Sequence, residues 1–312
     1  TYTIEHTGIP SLVLMERASL TIAAETAHVA AQLKLPAVRI AAVCGSGNNG
    51  GDGIAAARIL HSTGYDVTIF FAGLREKMSP DCQKQLSIAE NLSVPISNDT
   101  DLDAYNIIID AIFGIGLDRP VTGTYKDWIT AVNSASENGS KIIAVDTPSG
   151  IHTDSGQIMG TAVHADRTVT FGYIKKGLVL YPGASCAGKV ICRDIGFDPA
   201  AAKTIGLQYI TYTKEDYKRL PKRYADSHKG TYGHVLVIAG SKNMAGAAYF
   251  SALAAYSMGA GLVTLYTPES NRCILQQLLT EAVLKHYPDT APDLPALSDQ
   301  LNNYTAIILG PG

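Results

Sequence analysis

The sequence predicts an α/β protein. A Rossmann-like, doubly wound and mainly parallel sheet comes first, and a second α/β pattern follows. Three observations predict it. Short runs rich in Val and Ile alternate with longer segments of helical periodicity. A glycine-rich stretch, Gly45-Ser46-Gly47-Asn48-Asn49-Gly50-Gly51-Asp52-Gly53, joins the first such run to a helical segment. Near residue 213 the composition turns charged, and beyond it the alternation starts again.

Taken in order, Ile9 to Leu33 carries Leu12, Leu14, Met15, Ala18, Ile22 and Ala23 at helical spacing behind Pro10. Val38–Val43 reads as a buried strand running into the glycine stretch, and a helix continues to the stop at Gly64. Val67–Phe71 is the next strand and Pro80–Leu92 the next helix. Asn106–Asp110 is a strand, Tyr125–Ala135 a helix and Lys141–Asp146 a strand. Arg167–Phe171 and Gly188–Arg193 extend the sheet. Thr213–Lys229 holds nine charged residues and Pro221 and reads as a linker with local structure. The second pattern has strands at Val235–Ala239, Leu262–Tyr266 and Ala306–Leu309, with a helix over Ala245–Met258.

Composition narrows the function classes. The chain has 312 residues, 46% of them hydrophobic and 17% charged, which excludes global disorder. A net charge of −3 leaves no footprint for sequence-independent binding to nucleic acid or anionic membrane. No apolar run approaches the ~18 residues of a membrane span. The five cysteines form no CxxC pair, so a disulfide scaffold or zinc ribbon is not expected. Cys44 and Cys192 sit in apolar runs and read as small buried hydrophobes. Reduced thiols and the lack of a visible signal peptide set the expectation of a cytoplasmic protein. The eight histidines show no metal-ligand spacing, and the tyrosines are too scattered for a single-strand stacking platform. Lys175-Lys176 reads as a solvated loop, with a phosphate contact as the alternative. The start at Thr1 and the end at Gly310-Pro311-Gly312 both read as cut ends.

Gly45-x-Gly47-x-x-Gly50 follows a strand and opens a helix, the spacing of a dinucleotide-binding turn. An ordinary NAD dehydrogenase also places a carboxylate at the end of the next strand to hold the ribose. Here that strand ends Phe71-Ala72-Gly73-Leu74-Arg75, which argues against it. Asn48, Asn49 and Asp52 add oxygen acceptors unusual for a loop that only cradles pyrophosphate. The competing reading is that they cap the helix. Asp110-Ala-Ile-Phe-Gly114-Ile115-Gly116-Leu117-Asp118-Arg119-Pro120 follows the third strand, and Asp146-Thr-Pro-Ser149-Gly the fourth. Ligands of open parallel sheets bind beyond the carboxyl ends of strands, so three loops can converge there. Asn49, Asp110 and Ser149 offer only oxygen, which suits a hard cation and not zinc. At Ser149 helix capping and ligation stand level; for Asp110 with Asp146 a functional role is favoured.

These motifs, in this order and spacing, resemble the NAD(P)H-hydrate epimerase domain, and Leu14-Met15-Glu16-Arg17-Ala18 looks like that family's opening helix. The resemblance covers residues 1–213, with 214–229 as linker. From 230 to 312, His228-Lys-Gly-Thr-Tyr-Gly-His234, Ala239-Gly-Ser241, Gly246-Ala247-Ala248 and Gly259-Ala-Gly261 resemble the start of the ADP-dependent NAD(P)H-hydrate dehydratase domain, which is ribokinase-like. The later Gly-Thr-Gly-Asp turn is missing, so this stretch is expected to be incomplete and not to dehydrate.

The resemblance implies an enzyme that interconverts the R and S forms of hydrated NADH or NADPH. Asn48, Asn49, Gly50, Gly51 and Asp52, the loop Gly114, Ile115, Gly116, Leu117, Asp118, Arg119 and Pro120, Asp146 and, in the second domain, Ala247 would bind the substrate. Asn49, Asp110 and Ser149 would ligate potassium, and ADP would serve only a complete dehydratase domain. Asp146 would be the acid–base group at C6 of the nicotinamide ring. The family suggests a homodimer or higher homo-oligomer. A non-catalytic nucleotide-binding or scaffold module of the same fold is the alternative, and retention of Asp146 with Asn49, Asp110 and Ser149 favours the enzyme.

Overall fold

A computed structural model describes residues 2–206, 209–220, 222–292 and 294–310. Thr1, Pro221, Pro311 and Gly312, named above, lie outside the described residues. The chain divides into two compact units, Thr1–Ile210 and Thr211–Gly312.

The first unit opens with a short helix, α1 (Tyr2–His6), and the long helix α2 (Ser11–Leu33). Pro10 stands at the N-cap of α2, just ahead of its first turn. Then follow β1 (Arg39–Cys44), α3 (Asn48–Ser62), β2 (Asp66–Phe71), α4 (Pro80–Asn91), the short β3 (Ile96–Ser97) and β4 (Ile107–Ala111). After these come α5 (Thr124–Glu137), β5 (Lys141–Val145), β6 (Arg167–Phe171), a turn of helix α6 (Gly183–Cys186), β7 (Lys189–Arg193) and α7 (Pro199–Ile205). The strands form a seven-stranded sheet in the order β3-β2-β1-β4-β5-β6-β7, and every pairing is parallel.

Strand periodicity explains the layers. Ile40, Ala42, Cys44, Ile69, Ile107 and Ile109 point to one face and pack with Leu14, Ile22, Ile54, Leu60 and Leu86 of α2, α3 and α4. Ala41, Val43, Phe70, Ile108 and Ile142 point the other way, onto Trp128, Ile129 and Val132 of α5. Both faces are covered, which is why the strands read as continuous apolar runs. From β1 the chain winds to one side through β2 and β3, then returns to β4 on the other side. The carboxyl ends of β1 and β4 therefore flank the topological switch point.

The second unit holds β8 (His234–Ile238), α8 (Gly246–Ser257), β9 (Leu262–Pro268), α9 (Arg272–Leu278), β10 (Val283–Tyr287) and β11 (Ala306–Leu309). Its four-stranded parallel sheet runs β10-β9-β8-β11. The charged stretch expected as a linker sits inside this unit. There Arg223 donates to Gly259 O at 2.7 Å and stacks over the Tyr232 ring. The strand at Val283–Tyr287 was not anticipated, because Lys285 and His286 interrupt its apolar pattern. Cys44 is buried as expected, whereas Cys192 is exposed. It lies on β7, the edge strand, which has cover on only part of its length.

Candidate active site

Three loops meet at the switch point. The first is the turn from β1 into α3. Gly47 is the N-cap of α3 and supplies no side-chain cap, so Asn48 and Asn49 lie inside the first helical turn rather than capping it. Two of the glycines are steric necessities. A Cβ on Gly45 would stand 2.1 Å from Ile112 O, and one on Gly50 would stand 1.8 Å from Gly45 O. A Cβ on Gly47 would meet only open space, on the cavity side. The Gly45 amide donates to Ala111 O at 3.0 Å and clips this turn to the end of β4.

The second loop leaves β4 at Asp110, which is completely buried. The Ser149 amide donates to Asp110 Oδ2 at 2.8 Å and the Ser149 hydroxyl to Oδ1 at 2.5 Å. Ser149 Oγ in turn accepts the Phe113 amide at 2.9 Å. Neither Asp110 nor Ser149 begins a helix, so the capping reading is not realised; Ser149 ties two loops together. Burial pushes the Asp110 carboxyl up to about 6, against hydrogen bonds from Ser149 and Ile112 that pull it down. Asn49 donates to Phe113 O at 2.9 Å, which leaves its Oδ1 without a hydrogen-bond partner among the described residues. That oxygen faces Gly114, where a Cβ would stand 2.9 Å from it. These loops thus offer a buried carboxylate with no basic side chain paired to it among the described residues, an amide oxygen and a hydroxyl. This donor set fits a hard cation.

The third loop follows β5. Asp146 has φ 64°, a left-handed conformation rare for any residue but glycine. It is 8% exposed, and its carboxylate is held from one side. Oδ1 accepts from Lys175 Nζ at 2.5 Å and from Thr170 Oγ1 at 3.0 Å. Lys175 Nζ also donates to Thr170 Oγ1 and to Phe171 O, each at 2.9 Å, so all three ammonium protons are used. Oδ2 has no partner among the described residues. Lys175 is therefore neither a solvated loop residue nor free for a phosphate, as the sequence reading had it. The ammonium turns back onto the end of β6, where Asp146 and Thr170 wait on neighbouring strands.

The loops enclose a cavity of about 530 Å³. Asn48, Asn49, Asp52, Gly114, Ile115, Gly116, Leu117 and Asp146 line it, together with Ser46, Gly47, Ser79, Ile112, Phe113 and Tyr125. Gly50 and Gly51 are buried behind it, and Asp118, Arg119 and Pro120 are exposed outside its lining. Ala247 lies in the second unit, in the first turn of α8, and does not line this cavity. Sequence reasoning missed Lys175, Thr170, Ser79 and the Phe113–Tyr125 ring pair, whose centroids are 4.8 Å apart. Phe113, inside a quoted motif, and Lys175, singled out only as a solvated loop residue or phosphate contact, carried a signal. Asp52, half-buried in α3, has no side-chain hydrogen bond or ion pair among the described residues. Burial raises its carboxyl well above the usual carboxylate range; Asp146 and Asp81 add to the rise and Lys175 opposes it.

Comparison with known proteins identifies the pattern. Residues 11–177 match the family described as YjeF-related protein N-terminus, and residues 235–312 match NAD(P)H-hydrate dehydratase. The NAD(P)H-hydrate epimerase of Limosilactobacillus fermentum is 50% identical over 62% of this chain and 90% of its own length. The bifunctional NAD(P)H-hydrate repair enzyme Nnr of Thermofilum pendens is 34% identical over 99% of this chain and 60% of its own, and that of Coxiella burnetii 36% identical over 98% and 61%. The chain thus spans about 60% of the length of these bifunctional relatives. The crystal structure of the yeast protein YNL200c aligns with a TM-score of 0.54 and 22% identity, over 69% of this chain and 92% of its own. It shares the fold.

Proposed function

Because the chain belongs to the YjeF-related, NAD(P)H-hydrate epimerase family, we propose that its first unit interconverts the R and S forms of hydrated NADH and NADPH. The observation that carries this reading is Asp146. It is a buried carboxylate in a left-handed turn, with one oxygen fixed and the other free, on a cavity at the switch point of a parallel sheet.

The open glycine face at Gly47 and the first turn of α3 suit the pyrophosphate, and Asn48, Asn49 and the Gly114–Leu117 loop border the bound nucleotide. Gly50 and Gly51 act from behind, by letting the turn close on itself. Asp118, Arg119 and Pro120 reach the substrate only at the cavity's outer rim. At the ring, the lone pair of N1 helps expel the C6 hydroxyl as water and leaves an iminium cation. Water then adds to the opposite face. The Asp146 carboxylate serves as the acid–base group and stabilises the positive charge. Asn49, Asp110 and Ser149 would hold a potassium ion, whose charge would offset that of the buried Asp110 carboxylate.

Residues 235–312 of the second unit match the NAD(P)H-hydrate dehydratase family; in the same reading Ala247 would face hydrated nucleotide and ADP would serve a complete dehydratase domain. A cytoplasmic location and a homodimer or higher homo-oligomer belong to the same reading. Among the described residues no helix is long and apolar enough to cross a membrane. The direct test uses one purified epimer. The enzyme reading requires its conversion to the other without redox change, and a mere binding module converts neither.

A further inference from the structure

Epimerisation at C6 needs a proton delivered where hydroxyl departs and a proton removed where water arrives, on opposite faces of the ring. A single carboxylate reaches both faces only if the ring turns over. The cavity is lined by two carboxylates, from different elements of the fold. Asp146 follows the end of β5, and Asp52 sits in the second turn of α3, the helix that follows β1. Their surroundings differ. Asp146 is in an ion pair with Lys175 and also accepts a hydroxyl hydrogen from Thr170. Asp52 has no cation and no hydrogen-bond donor on its carboxyl among the described residues.

Resting on the epimerase reading, we propose that the two carboxylates divide the reaction: Asp52 gives its proton to the departing hydroxyl on one face, and Asp146 takes the proton of the water added to the other. In the forward step the C6–O bond breaks, its electron pair goes to oxygen, and the Asp52 proton makes the leaving group water. The N1 lone pair forms the C=N bond of the iminium. A second water then bonds to C6, its lone pair fills the iminium, and its surplus proton passes to Asp146. One proton has moved from Asp52 to Asp146, and exchange with solvent resets the pair. The reverse reaction uses the same groups with roles exchanged. The same division of one acid and one base across a sugar ring underlies inverting glycoside hydrolysis, also through a cationic transition state. The surroundings set the starting state. Burial and the neighbouring carboxylates push the Asp52 carboxyl toward its neutral form, while the Asp146 carboxylate is paired with the ammonium of Lys175.

The test is Asp52→Asn, assayed with the full chain and each purified epimer. Replacing the Asp52 carboxyl by an amide breaks no hydrogen bond among the described residues, so the variant is expected to fold, and its thermal midpoint is measured alongside. We expect kcat to fall ~10²–10⁴-fold in both directions with KM changed less than about threefold. Asp52→Glu is expected to recover part of kcat. A kcat within about threefold of wild type would sink the proposal. So would a loss confined to KM, which marks Asp52 as a binding group. Should Asp52→Asn not fold, Asp52→Ser is read by the same criteria. Failure of the wild-type chain to interconvert the epimers would instead refute the epimerase reading itself.

Discussion

Replacing Lys175 by Met separates a positioning ammonium from a phosphate-binding one. The side chain keeps its length and loses three hydrogen bonds, to Asp146 Oδ1, Thr170 Oγ1 and Phe171 O. What remains is a carboxylate 12% exposed in its side chain, held only by the Thr170 hydroxyl. Breaking a buried ion pair by removing one partner costs roughly 3–5 kcal/mol. Lys175 is 21% exposed, so screening lowers this to about 2–3 kcal/mol. For a unit of this size each kcal/mol moves the thermal midpoint by about 2–4 °C, giving a fall of about 4–12 °C. Asp146→Asn combined with Lys175→Met removes the stranded charge and is expected to melt above Lys175→Met alone, a positive coupling in a double-mutant cycle. Catalysis is expected to lose about 10²-fold in kcat with little change in KM, because Oδ2 is no longer held in place. Lys175→Arg should restore the charge and only part of the rate, since a planar fork does not match three convergent acceptors. The assay is epimer conversion followed by chromatography, beside thermal melts of the variants. A rise in KM at unchanged kcat, with no coupling to Asp146, would refute the reasoning and assign Lys175 to the substrate's phosphates.

Potassium should raise the thermal midpoint beyond an equal concentration of choline, and more at pH 7.5 than at pH 5. Asp110, raised from 3.8 to about 6, keeps its proton when folded between those values, so its contribution to stability falls as pH rises through that window. Above it the uncompensated carboxylate costs about 3 kcal/mol, which a cation offsets. An equal potassium effect at both pH values, or one that survives Asp110→Asn, counts against that site. Gly50→Ala should destabilise the chain by at least about 1–3 kcal/mol, because its Cβ would fall 1.8 Å from Gly45 O. Gly47→Ala, facing open space, should fold normally and weaken nucleotide binding; equal melting of both variants contradicts the packing of the turn. An aromatic disulfide reagent should label only Cys192 and Cys273 in the native protein. Cys44, Cys82 and Cys186 are buried, and burial pushes Cys82 up to about 12, so early labelling of these three would contradict the core assignment.

The sheet was legible because every central strand is a run of β-branched and apolar residues, and because glycines mark the turn after β1, where the chain closes on its own backbone. Asn49, Asp110, Asp146 and Ser149 were legible as residues at strand ends. Their connections were not. Ser149 reaches Asp110 across 39 positions, and the Lys175–Asp146 pair spans 29; both exist only once β4, β5 and β6 lie side by side. Lys175 was misread for that reason, since two adjacent lysines in a loop look solvated until the strand beside them is known. Cys192 was misread because an apolar run does not reveal whether its strand is central or at the edge. The short β3 and the strand at Val283–Tyr287 escaped notice because neither carries a clean alternation or a long apolar run.

Interconversion at C6 through Asp146 as the reacting carboxylate is open to direct measurement. The most direct measurement starts from each pure epimer of hydrated NADH and follows its conversion, in potassium buffer, with wild type, Asp146→Asn and no protein. The account predicts that wild type carries both epimers to one common mixture faster than buffer alone, and that Asp146→Asn falls ~10²–10⁴-fold below it while still binding the nucleotide. Conversion by Asp146→Asn at the wild-type rate, or wild type no faster than buffer, would contradict it.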